Sequence, residues 1–195
     1  MNIIDFRKSI ATINEIIYFD KNEYLREKTN NPLELKNIIG EAKDLLKDSN
    51  KDDKYYLYGV LGNLYRISGQ SKKAINYLTY CLERANKERN FTREVISLIR
   101  LGEAFKYDNN HKLALDQFNK ALEICKTNKI NRYLDFALQH KGKCLMELAR
   151  LKDAEKCFAK ALELRNAKGD STLIDSTQQA IDLLREIRVE QRKKR

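Results

Sequence analysis

LGNLYRISGQSKKAINYLTYCLERA, from Leu61 to Ala85, decides the fold, because its frame returns twice more. The second copy is LGEAFKYDNNHKLALDQFNKALEIC, Leu101 to Cys125, and the third is KGKCLMELARLKDAEKCFAKALELR, Lys141 to Arg165. Gly62, Gly102 and Gly142 stand forty residues apart, as do Ala74, Ala114 and Ala154, and as do Leu78, Phe118 and Phe158. Cys81, Ala121 and Ala161 close the frame. Each marker has a steric reason. Small residues are needed where two antiparallel helices cross closely, and the large apolar residues fill the space beside the crossing. Tyr65 and Phe105, with Leu145 in the third copy, belong to the same packing. Turn residues separate the two helices of a copy. Gly69 is suited to a left-handed helix end and Ser71 to capping the next helix, and Asn109-Asn110 serves both purposes in the second copy. Around Arg150 no such residue stands.

The pattern extends on both sides. Shifted by forty, Leu35, Ile38, Ala42 and Leu45 fall on Ile75, Leu78, Leu82 and Ala85, so the stretch after Pro32 reads as the second helix of a degenerate earlier repeat. Asn2 to Tyr18 is expected to supply a helix before it. Asp170-Ser171 can cap a last helix reaching about Val189, with Ile174, Ala180, Ile181, Leu184 and Ile187 at helical spacing. Three parts are therefore expected: 1–53, N-terminal helices including the degenerate repeat; 54–169, three repeats; and 170–195, a capping helix with a basic tail. A repeat array needs such caps, since an open end exposes core.

Composition agrees with helices. The chain has 195 residues, 42% hydrophobic and 34% charged, with one proline and seven glycines. Every apolar stretch near the N-terminus is interrupted by Asp5, Arg7, Lys8 or Glu15, so no export or membrane segment is expected. The cysteines, Cys81, Cys125, Cys144 and Cys157, show no CxxC spacing and fall where a small apolar residue would serve. They are read as reduced, mostly buried thiols of a cytoplasmic protein. Net charge is +10, distributed unevenly: residues 1–53 carry 9 Lys/Arg against 11 Asp/Glu, and the remainder carries 29 against 17. The sequence ends Arg192-Lys193-Lys194-Arg195, which is read as a solvated helix end whose cations suit the helix dipole.

The LG…Y/F…A…F/L…A frame resembles the tetratricopeptide repeat family over about Tyr55 to Lys168, in a variant with a period of 40 instead of about 34 and without the usual proline after the second helix. The resemblance implies an all-α fold, a right-handed α-α superhelical solenoid of antiparallel helix hairpins. It also implies a concave groove lined by the first helix of each repeat. Carried over by position, the groove residues are Tyr56, Asn63 and Arg66; Arg100, Glu103 and Lys106; and Gln139, His140 and Lys143. A side-chain amide such as Asn63 can both donate to and accept from an extended peptide backbone, and the cations can neutralise an acidic peptide or a terminal carboxylate. The two-carboxylate clamp by which some family members hold chaperone tails is not expected. Gly59, Phe136 and His140 stand where its cations would be.

The chemistry of the sequence is sparse. His111 falls in an expected turn and is read as exposed. His140 and Cys144 are four residues apart on one helix face, but a buried unpartnered cysteine is the better account of Cys144. There is no phosphate loop and no HExxH or GxSxG motif, so no metal, cofactor or catalytic residue is expected. The expected function is a non-catalytic protein- or peptide-binding module, an adaptor or regulator. Its partner is another protein or a peptide segment, acidic in character, and homodimerisation through the N-terminal helices is open. A peptide-sensing regulator of the quorum-sensing-receptor type remains an alternative. So does a nucleic-acid-associated protein using the basic half, although no stacking platform or recognition motif supports it. An enzyme would need a constellation assembled across repeats, visible as a buried polar cluster with displaced titration.

Overall fold

The computed structural model describes residues 2–193. Its helices are α1 (Ile3–Ala11), α2 (Pro32–Lys47), α3 (Lys51–Ile67), α4 (Ser71–Lys87), α5 (Phe91–Tyr107), α6 (His111–Thr127), α7 (Leu134–Glu147), α8 (Leu151–Lys168) and α9 (Ser171–Lys193). Between α1 and α2 lie two short antiparallel strands, β1 (Ile17–Asp20) and β2 (Arg26–Thr29), with Ile17 opposite Thr29 and Asp20 opposite Arg26. The fold is the expected all-α solenoid of helix hairpins, α3–α4, α5–α6 and α7–α8, with one β-hairpin added.

The repeat frame has the steric basis read from it. A methyl group at Gly62 would stand 2.5 Å from the Leu78 side chain, one at Gly102 2.6 Å from Phe118, and one at Gly142 2.5 Å from Phe158. Each glycine thus lets the large residue of the second helix lie against the backbone of the first. Ala74, Ala114, Ala154, Phe118 and Phe158 are fully buried around these crossings.

Helix ends fall every twenty residues. Gly69, Arg89, Asn109, Lys129, Ala149 and Gly169 all have positive φ, between 49° and 77°. The unmarked turn at Arg150 is therefore built like the others, with Ala149 taking the left-handed conformation at φ 56°. Asn50 and Asn90 cap α3 and α5 with their side chains. The same frame position is Ile130 in the third copy; there a 3-10 turn, Asn131–Tyr133, precedes a shorter α7. Asn110 caps α6, whereas Ser71 does not cap α4: the cap position is Gln70, which makes no side-chain bond. Asp170 caps α9 by accepting from the Leu173 N–H at 3.1 Å.

The N-terminal segment departs from the expected helix Asn2–Tyr18. Helix α1 stops at Ala11, and Ile17 and Tyr18 lie in β1. The run Ile16-Ile17-Tyr18-Phe19 is β-branched and aromatic, and Asp20-Lys21-Asn22 supplies a turn, so extended pairing prevails over helix continuation. At the far end, α9 runs to Lys193, beyond Val189, and is fastened by a buried knot. Arg165 donates to Asp135 at 3.0 Å, to Thr177 Oγ1 at 2.7 Å and to the Leu173 carbonyl at 2.9 Å. Lys194 and Arg195 of the basic tail lie outside the described residues.

Candidate functional site

The first helices make the inner layer: α3 touches α5, α5 touches α7, and β2 lies against α3. Their inward faces carry the frame positions Asn63, Glu103 and Lys143, one turn before Arg66, Lys106 and Met146. Three helices thus place a row of charges on one surface, and the β-hairpin lies across it.

Strand β2 supplies the covering contacts. Arg26 donates to both carboxylate oxygens of Glu147, at 3.0 and 2.6 Å, and to the Lys106 carbonyl and Asn109 Oδ1, each at 3.0 Å. Glu27 pairs with Arg66, and its backbone N–H donates to the Tyr107 hydroxyl at 2.5 Å. Leu25 is buried with Leu145 and Met146, and Lys143 Nζ donates to the Leu25 carbonyl at 3.3 Å while facing the Phe19 ring at 4.7 Å. The result is an alternating chain of charge: Glu27, Arg66, Glu103, Lys106, Glu147, Arg26. Glu103 lies 3.6 Å from Arg66 and 3.0 Å from Lys106, which is itself 3.7 Å from Glu147. Glu103 also lies 3.0 Å from His140 Nδ1. Neither the Lys106 nor the His140 approach is aligned as a hydrogen bond, so charge proximity is what holds Glu103 there.

Titration reflects this burial. Removal from water would raise the Glu103 carboxyl, but His140, Lys106 and Arg66 outweigh it and hold the group well below the usual carboxylate range. Glu27 is likewise lowered, burial being outweighed by Arg66. Lys143 goes the other way: burial, reinforced by the Lys106 charge, lowers its ammonium to about 8. The Cys144 thiol is pushed up to about 12 by burial, and its Sγ lies 3.7 Å from the His111 carbonyl, so it is a neutral packing group beside Phe118 and Ala114.

The nine groove residues therefore have different settings. Arg66, Glu103, Lys106, Gln139 and Lys143 are buried, Lys106 completely. Gln139 donates to the Ser176 carbonyl and so faces the α9 side. Tyr56 lies away from the row, against Arg7 of α1, whose guanidinium is 4.4 Å from its ring. Asn63, Arg66, Arg100, Glu103 and His140 line a cleft of about 370 Å³ beside the hairpin, with Ile96, Ile99, Tyr133 and Phe136 as its apolar wall. Arg100 is exposed there. Buried Arg66 Nη1 borders the cleft without a hydrogen-bond partner. His111 is not a free turn residue: its Nε2 lies 2.7 Å from Glu147.

Sequence reasoning missed Arg26, Glu27, Tyr107 and Glu147. Glu147 and Tyr107 were within reach, being in frame with each other forty residues apart at the inner helix ends. Arg26 and Glu27 needed the hairpin. Among the described residues, no group of three His, Cys, Asp or Glu side chains is placed to hold a metal ion, and no helix is long and apolar enough to cross a membrane.

Stacked helix hairpins with a charged inner face define the helical-repeat class of scaffold. Family profiles for the tetratricopeptide repeat match residues 53–127 and 137–168, and the chain belongs to that family. None of the curated proteins matches. Among solved structures, apo RapI is similar at 21% identity over 83% of this chain and 59% of that one, with a TM-score of 0.67. A Rap protein complexed with Competence and Sporulation Factor is similar at 18% identity, over 81% of this chain and 46% of that one, with a TM-score of 0.69. Bacillus thuringiensis PlcR in complex with the peptide PapR7 and DNA is similar at 21% identity, over 76% of this chain and 53% of that one, with a TM-score of 0.63. The chain spans about half the length of these proteins.

Proposed function

We propose that this chain is a non-catalytic protein- or peptide-binding module, a cytoplasmic adaptor or regulator, whose ligand site is the inner face of α3, α5 and α7. The observation that carries the reading is that an extended segment already lies on that face, held through its backbone and side chains by Arg66, Tyr107, Lys143 and Glu147. A surface that fits one extended strand has the donors, acceptors and apolar recess to fit another. The open cleft at Asn63, Arg100 and Phe136 offers the accessible part.

The peptide-sensing reading draws on PlcR, whose complex contains the peptide PapR7 and DNA. In this chain α1, the hairpin and α2 precede the first repeat hairpin. The buried charge cluster is the feature an enzyme would need, and it is present. Its members are engaged with opposite charges, and its cover is the chain's own hairpin, which suits a structural and ligand-holding network better than a reaction chamber.

Panning a random peptide display library tests the proposal. Selected peptides are expected to bind the wild type and to lose about tenfold or more in affinity on Asn63→Ala plus Arg100→Glu. Peptides held equally by both forms would place the site elsewhere.

A further inference from the structure

The hairpin is the feature that the repeat array does not require. The three repeats pack through α3–α8, and α9 closes one end; nothing in that stacking calls for a β-hairpin across the inner face. Yet the hairpin is placed residue by residue. Leu25 enters the apolar recess of Leu145 and Met146, Arg26 meets Glu147, and Glu27 meets Arg66.

Its attachment is suited to release. A two-stranded hairpin is marginal on its own, so these strands owe their order to the surface beneath them. Tyr24 and Leu25, at its tip, have φ of 55° and 60°, a left-handed pair that costs energy in residues other than glycine. Apart from Leu25 and the partly buried Ile17, the contacts are polar: two ion pairs, Arg26 with Glu147 and Glu27 with Arg66, and hydrogen bonds to the Lys106 carbonyl, Asn109, Tyr107 and Lys143. Buried ion pairs return much of their energy as hydration when they separate, so they hold position more than they hold tightly. Phe19 and Tyr24 are partly exposed above the surface and do not anchor it deeply.

We propose that Ile17–Thr29 is a built-in occupant of the ligand groove, and that the ligand is an extended segment presenting an apolar side chain, a cation and a carboxylate in succession, as Leu25, Arg26 and Glu27 do, which binds by displacing the hairpin. This rests on the peptide-binding reading above and specifies both the ligand and its control. It also specifies a partner of mixed charge, since Arg26 meets Glu147 and Glu27 meets Arg66. The cleft at Arg100 and Phe136 adjoins Glu27, giving an incoming segment a foothold before the hairpin leaves. The tethered hairpin competes at a high effective concentration, so a free ligand sees only the fraction of molecules whose groove is open.

The probe is a fluorescein-labelled synthetic peptide of residues 21–30, KNEYLREKTN, titrated against the full chain. The variant Leu25→Ala/Arg26→Ala/Glu27→Ala, checked for helical circular dichroism, is expected to bind it at least about tenfold tighter than the wild type. A probe with alanine at the three positions is expected not to bind. Should the triple variant fail to fold, Arg26→Ala alone, which leaves Leu25 in place, is expected to bind the original probe about fivefold or more tighter than the wild type. Equal affinity of wild type and variant for the probe, equal binding of both probes, or no binding to the variant would overturn the proposal. Library-selected peptides that bind wild type and opened variant equally, and still depend on Asn63 and Arg100, would remove the hairpin's role and leave the peptide-binding reading standing.

Discussion

Arg26 and Glu147, 121 residues apart, are joined by two hydrogen bonds of 3.0 and 2.6 Å with the Glu147 side chain 3% exposed. The pair links the N-terminal hairpin to the third repeat and makes one unit of segments that the repeat pattern treats as separate. Removing Arg26 leaves Glu147 with Lys106 at 3.7 Å and His111 at 2.7 Å. Arg26→Ala is therefore expected to cost about 1–3 kcal/mol, less than a fully orphaned buried charge. Hydrogen exchange should show the loss first in residues 17–29, and unchanged protection there would contradict the role given to the pair.

The glycine frame makes a paired prediction. Gly102→Ala drives a methyl against the Phe118 ring, with ring atoms 2.6–2.9 Å away, and overpacking of this kind costs about 1–3 kcal/mol. Gly40 lies within α2 with nothing inside 4 Å of an added methyl, so Gly40→Ala is expected to stabilise by about 0.5–1 kcal/mol. Urea unfolding of the two variants should move the midpoints in opposite directions.

How much of this was legible follows the same division. The forty-residue frame predicted which glycines face which large residues, because close helix crossings restrict both sides of a contact and the restriction repeats. The hairpin repeats nowhere, and its strands are only four residues each. Strand pairing over so short a span depends on the surface that receives it, and that surface is assembled from residues 66 to 147. The candidate site's charge row was thus legible on the helix side, as Arg66, Glu103, Lys106 and Lys143, and hidden on the strand side, as Arg26 and Glu27. The burial of Arg66, Glu103, Lys106 and Lys143 was hidden for the same reason: their exposure is set by what lies across them.

Lys143 gives the chain a pH dependence. Its ammonium is lowered to about 8 in the folded chain, facing Lys106, Glu103, Glu27 and Arg66, against 10.5 when exposed. Between these values the unfolded chain binds more protons than the folded one, so this group's contribution to stability rises with pH, and below about 8 its penalty is fully present. Lys143→Met is expected to stabilise by about 1–2 kcal/mol at pH 7, with the gain fading as pH rises from about 8 towards 10.5. Thermal unfolding of wild type and variant over pH 7–10.5 measures it; a pH-independent difference would contradict burial of the charge.

At the C-terminal end, Arg165 is 2% exposed and ties fully buried Asp135 to Thr177 of α9. Arg165→Ala is expected to cost about 3 kcal/mol, since Asp135 keeps only the partly exposed Lys168 as a counter-ion. Limited proteolysis should then cut within α9 while α3–α6 stay intact.

The proposed ligand site is the inner face of α3, α5 and α7. A crystal structure of the chain with a peptide selected by panning tests it most directly. Peptide density is expected against Asn63, Arg66, Arg100 and Phe136. Peptide seated on α4, α6 or α8, with the inner face unchanged, would contradict it.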